Sequence, residues 1–228
     1  TTSFPHFTHY PGDPLSDRDR WQRDAWPPDR LRDLSVTVLG LNGVGRQAAL
    51  MLATLGVPRI EGVDPDTVMP THLGSEGYLE YDLATAKCDA VAAACLRHHS
   101  RVHLRPRLAD PAELDRDTPV CEAVLCCAPG FTAKRSIWEA VQGRCGFFAD
   151  ARVLGEQVEV VAGDLRDANE FESMLDRSSD LDPERAESYT SLIHPAGVAA
   201  GLMVSQLGGY LRRNPVAGLT RLHLTQGY

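Results

Sequence analysis

Three glycines, Gly40, Gly43 and Gly45, lie in the string GLNGVG, and they are the residues of this 228-residue chain best suited to chemistry. A glycine turn that leads into a helix offers backbone N–H groups and a positive dipole end, a natural cradle for phosphate. Asn42 stands where the dinucleotide pattern G-x-G-x-x-G places its second glycine, and asparagine can still adopt a positive φ. Asp64 closes the next β-branched stretch, where an acidic side chain accepts hydrogen bonds from ribose hydroxyls, and Asp66 follows it. Lys87 on spacing alone reads as an exposed helix lysine. The six cysteines include no C-x-x-C pair, so structural zinc is not expected, and a chain of this length needs no disulfide staples. Reduced, mostly buried thiols are the expectation, with Cys126 and Cys127 on a buried strand. His194, next to Pro195, reads as a capping or core histidine rather than a general base.

Positioning these groups requires a strand before the turn and a helix after it. SVTVLG is a β-branched run ending in glycine, GRQAALMLATLG has helical spacing, and RIEGVD reads as a second strand, so Leu34 to Asp64 form one βαβ unit. Gly56 falls at the helix C-cap. Asp82 is expected to cap a long alanine-rich helix through His98. RVHLRPR and AVLCCA read as the third and fourth strands, followed by a helix from Thr132 to Gln142. CGFFADARVLGEQVEVVAG reads as two strands joined near Gly155, Ala196 to Leu211 as a helix packed through small residues, and RLHL as a last strand. Asp164 to Ser188 is polar and has no clear assignment. Strands alternating with helices predict an α/β, Rossmann-like fold: a mainly parallel sheet with helices on both faces and antiparallel strands toward the C-terminus.

Residues 1–33 form a separate N-terminal arm in this reading, and 34–228 the nucleotide-binding domain. Pro5, Pro11, Pro14, Pro27 and Pro28 break any long helix, leaving room for a short one between Ser16 and Trp26. Trp21 and Trp26 favour packing on the same domain or on a partner subunit.

With 23 Lys+Arg against 31 Asp+Glu the formal net charge is −8, which argues against nucleic acid or an anionic membrane as the main partner. TTSFPHFTHY lacks a basic region followed by an apolar run, so a cytoplasmic location is expected. The most apolar stretch, Pro195 to Leu211, is interrupted by Ser205 and Gln206 and falls short of the ~20 residues a membrane-spanning helix needs.

The string VTVLGLNGVGRQAALMLATLGVPRIEGVDPDTV, with GYLEYDLATAK after it, resembles the ThiF/MoeB/HesA superfamily of adenylating domains related to ubiquitin-activating enzymes. SIWEAV, FFADARVLGEQVEVV and AAGLMVSQLGGYLRR are similar to its bacterial members, and the resemblance covers Asp17 to about Asn214. It implies ATP with Mg²⁺ as cofactors, and as partner a ubiquitin-like or sulfur-carrier protein whose C-terminal carboxylate is adenylated. It also implies a homodimer, or a heterodimer with a homologue. By position, Asp64 would bind the ribose, Asp66 would lie by the nucleotide and Lys87 would contact phosphate. Arg18 or Arg20 would reach a neighbouring site across a dimer, although both are equally readable as surface partners of Asp17 and Asp19. Departures fall at the chemistry. THLGSEGY carries His72, Ser75 and Glu76 where many members have Asn, Arg and Gln; through Gly77 and Tyr78 it fits better a shorter bacterial form without that arginine, and Glu76 still adds negative charge that Arg46 could offset. Pro129 replaces the Mg²⁺ aspartate, and ERAESYTSLIHP contains no thioester cysteine. The readings are therefore an adenylyltransferase, a catalytically impaired pseudoenzyme or partner subunit, and, disfavoured by Asp66, Lys87 and the missing second glycine, an NAD(P)-dependent oxidoreductase.

Overall fold

The computed structural model describes residues 18–115, 117–165, 192–216 and 218–225. Seven strands form one sheet: β1 (Ser35–Leu39), β2 (Arg59–Val63), β3 (His103–Arg107), β4 (Ala123–Cys126), β5 (Phe147–Leu154), β6 (Gln157–Asp164) and β7 (Leu219–His223). Their order is β3-β2-β1-β4-β5-β6-β7. The first five are parallel, and β6 and β7 add antiparallel to the β5 edge. The fold is thus the expected Rossmann-like α/β arrangement.

Six α-helices accompany the sheet among the described residues: α1 (Pro28–Asp33), α2 (Gly43–Leu55), α3 (Pro70–Glu76), α4 (Lys87–His98), α5 (Phe131–Val141) and α6 (Ile193–Leu211). β1 and β4 are almost wholly buried because helices cover both faces of the sheet. One core lies between the sheet and α2, α4 and α6, and a second, with Ile137, Trp138 and Phe148, lies under α5. The small residues of α6 serve the first core: Ala196, Ala199 and Ala200 are buried there, beside Met203. β5 and β6 are joined by Gly155-Glu156, with Gly155 at φ +57°, as a two-residue hairpin turn requires. No helix among the described residues is long and apolar enough to cross a membrane.

Two local expectations are corrected. Asp82 does not cap the alanine-rich helix. It sits in a 3₁₀ turn, Glu80–Asp82, where its Oδ2 accepts the Leu79 N–H at 3.0 Å. The chain then passes through Ala84 at φ +64° and an antiparallel bridge between Thr67 and Ala86 before α4 starts at Lys87. In the N-terminal segment the helix lies later than expected. Residues 18–26 form turns, and α1 begins at Pro28, whose missing N–H costs nothing in a first turn; Ser16 lies outside the described residues. Trp26 is buried against α6, where a Cβ on Gly208 would come within 3.3 Å of its ring. The Arg18 guanidinium donates to Thr54 O at 2.6 Å and His98 O at 3.4 Å, at the C-terminal ends of α2 and α4.

β2 lies on one side of β1 and β4 on the other. The order in which strands are added therefore reverses at β1, with β1 and β4 still parallel, and open α/β sheets bind ligands in the crevice outside the carboxyl ends of the strands at that point.

Candidate functional site

The glycine turn occupies that crevice. Gly40 has φ +87° and donates its N–H to Val63 O at 2.8 Å, and a Cβ there would approach the Cys127 and Ala128 backbone to 3.0 Å. A Cβ on Gly45 would stand 1.8 Å from Gly40 O. These two glycines are demanded by the approach of one backbone segment to another. Asn42 does not use the positive φ that is open to asparagine. At φ −68° it is the N-cap of α2, its Oδ1 accepting Val44 N at 3.1 Å and Gly45 N at 3.3 Å, and its Nδ2 donating to Cys127 O at 2.6 Å. Part of the N–H cradle expected to face phosphate is therefore filled by an amide side chain of the protein itself.

Asp64 is only 5% exposed. Its Oδ2 accepts Leu41 N at 2.6 Å and its Oδ1 accepts Asp66 N at 2.9 Å, while Tyr78 Oη donates to Leu41 O at 2.7 Å. Each carboxylate oxygen keeps a second lone pair with which to accept a hydroxyl.

Lys87 is not an exposed helix lysine: it is 2% exposed, and Nζ lies 3.0 Å from Glu76 Oε2 and 3.1 Å from Asp66 Oδ2. Burial pulls its ammonium toward neutrality, but Glu76, Asp64 and Asp66 together outweigh burial and hold it above its ordinary value, so it stays charged. Burial raises the Glu76 carboxyl, against the opposing attraction of Lys87. The structure thus brings Asp64, Asp66 and Lys87 together at the turn, and adds Glu76 as a direct partner of the lysine.

Of the other three candidates, Arg46 stands just behind the turn on α2, and Arg18 and Arg20 lie apart. Arg46 is buried with its guanidinium 5.1 Å from the centre of the Tyr78 ring, and burial lowers its pKa. Arg18 caps the far ends of α2 and α4, and Arg20 lies over the exposed Trp21 ring at 5.3 Å. At Pro129, just after β4, there is no side-chain donor, and no group of three or more His, Cys, Asp or Glu among the described residues is placed to hold a metal ion. The residues present at that position do not fit Mg²⁺.

A second charged group escaped the sequence reading. Lys134 on α5 contacts Asp150 Oδ1 and donates to Ala151 O at 2.6 Å; Arg152 Nε lies 3.0 Å from Asp150 Oδ2, and Arg221 pairs with Glu159. Asp150 is 1% exposed, opposite Cys126 in the β4–β5 register. A lone Asp in the apolar run FFADA was its only signal. His194 is neither cap nor core: its side chain is mostly exposed and its Nε2 lies 3.0 Å from Glu156. All six cysteines are free and all but Cys121 are buried, as expected, and burial pushes the Cys126 thiol up to about 12.

A phosphate-type turn at the switch point of a 3-2-1-4-5 sheet, with an acidic residue ending β2, defines a Rossmann-like nucleotide-site architecture. The chain belongs to the ThiF family, whose pattern it matches over residues 22–218. No curated protein matches it. Among solved structures, selenomethionine-labelled PaaA is similar at a TM-score of 0.72 and 17% identity, covering 100% of this chain and 85% of its own. E. coli MccB, crystallised with AMPCPP and MccA, is similar at 0.66 and 16% identity, covering 86% of this chain, which spans only 65% of MccB. MccB has also been crystallised with ATP, and that structure is similar at 0.65 and 15% identity over 86% of this chain and 65% of its own. These likenesses concern the fold.

Proposed function

We propose that this protein binds ATP at the Gly40–Gly45 turn and adenylates the C-terminal carboxylate of a ubiquitin-like or sulfur-carrier protein, or of a peptide. The observation that carries the reading is Lys87: a buried, charged lysine beside a glycine turn that Asp64 and Asn42 hold in place. MccB, crystallised both with ATP and with MccA, supports it by analogy of fold. When bound, ATP supplies an α-phosphoryl group to which a carboxylate oxygen adds while the bond to pyrophosphate breaks. Asp64 would accept from the ribose hydroxyls. Lys87 would neutralise charge on the phosphate oxygens, the main protein contribution to a reaction between two anions. A location in the cytoplasm and a two-fold dimer accompany the proposal.

The pairing of Glu76 with Lys87, together with Pro129, favours a second reading: a catalytically impaired member that keeps the fold and serves as partner to a competent homologue. Calorimetry with ATP, followed by pyrophosphate exchange in the presence of a carrier protein or peptide with a free C-terminus, separates the two. Exchange supports the enzyme, ATP binding without exchange supports the impaired member, and absence of ATP binding in the wild type overturns the catalytic reading.

A further inference from the structure

Glu76 ends α3, and that end lies directly on the start of α2: a Cβ on Gly43 would meet Ser75 O at 3.2 Å and the Glu76 Cα at 3.7 Å. The short helix therefore covers the glycine turn and reaches past it to Lys87, which it holds by a 3.0 Å ion pair. Its own ends are sharply defined, by Pro70 in the first turn and by Gly77 at φ +78° just after the last. On the other side of the ammonium, Asp66 is more than half exposed, so Glu76 is the buried partner of the two. A polyphosphate oxygen approaching Lys87 meets a cation already neutralised by two carboxylates, with Asp64 a third negative charge in range.

We propose that α3 is a latch on this site, in which the Glu76 carboxylate occupies the Lys87 position that a phosphate oxygen of the ligand takes, so that polyphosphate binds only when Glu76 is displaced. This rests on the nucleotide-binding reading above and specifies how that site is regulated. Glu76 is thereby a positioning residue, acting through Lys87.

The test uses ATP with Mg²⁺ as the probe. Affinity is measured by calorimetry for the wild type, Glu76→Gln and Glu76→Ala, and backbone hydrogen exchange of residues 70–77 is followed in the wild type with and without saturating ATP. Removing one charge-assisted competitor is expected to tighten ATP binding by roughly tenfold or more in both variants. ATP is expected to speed exchange in α3, a readout that needs no variant to fold. Variants that bind ATP no more tightly than a wild type that does bind it overturn the latch and leave the nucleotide site standing. Unchanged exchange in α3 at saturating ATP also overturns the latch. If neither the wild type nor the variants bind ATP at millimolar concentration, the nucleotide reading falls and the latch with it.

Discussion

Asn42 and Cys127 are tied across the switch point of the sheet: the Asn42 amide nitrogen donates to the Cys127 carbonyl at 2.6 Å while its oxygen caps α2. The turn after β1 and the chain leaving β4 are thus held as one piece. Asn42→Ala removes the cap and the tie together, and is expected to cost about 1–2 kcal/mol, read by urea unfolding. Asn42→Gly, which restores the glycine of the G-x-G-x-x-G pattern, is also expected to destabilise, because the glycine cannot donate to Cys127. An Asn42→Gly protein as stable as wild type would contradict this.

Gly45→Ala places a methyl group 1.8 Å from Gly40 O, and neither backbone can yield without moving the turn. A loss of about 3 kcal/mol or more is expected. Gly74→Ala is the contrasting case: it lies within α3 with nothing within 4 Å of the added carbon. A gain of about 0.5–1 kcal/mol is expected there.

The Lys134–Asp150 pair is buried, and Asp150 also holds Arg152. Asp150→Ala deprives the buried Lys134 of its carboxylate and Arg152 of one of its two, and is expected to cost about 3–5 kcal/mol. Lys134→Met leaves Asp150 its bond from Arg152 and should cost less. A double-mutant cycle is expected to return a coupling of about 1 kcal/mol or more; an additive cycle would count against a direct pair.

Burial pushes the thiols of Cys95, Cys126 and Cys145 up to about 12 from an ordinary value of 9.0. Between those values the native state holds protons that the unfolded chain releases, so stability falls as pH rises through the window. Each thiol contributes a slope of up to about 1.4 kcal/mol per pH unit. Unfolding followed at pH 8 and pH 10 should show the loss, and Cys145→Ala should reduce its slope. Near pH 8, Cys121 alone is expected to react readily with iodoacetamide in the native protein, since it is the one cysteine not buried. A peptide map locates the label.

The strands and main helices were legible because each is written in local sequence: SVTVL is a β-branched run, RIEGV alternates polar with apolar before Asp64, AVLC is a short apolar run, and GRQAALMLATL repeats at helical spacing. Gly40 and Gly45 were legible as a turn. The partners of the Asn42, Lys87 and Asp150 side chains were not, for a common reason. Those partners, Cys127, Glu76 and Lys134, come from other elements, and only the packed sheet brings them within 3.5 Å. Spacing within α4 says nothing about α3 folding over Lys87. The start of α4 was misplaced because Asp82 is a good cap residue spent on a 3₁₀ turn instead.

Asp64 binds two backbone N–H groups, at Leu41 and Asp66, before any ligand arrives. Replacing it would unmake the turn as surely as it would remove a ribose contact, so loss of binding in an Asp64 variant is a poor witness to what the carboxylate touches. It also means that a lineage which gave up its nucleotide would still be selected to keep this aspartate, for the shape of the turn alone. The presence of Asp64 is accounted for by architecture alone, and it is Lys87 that speaks for chemistry.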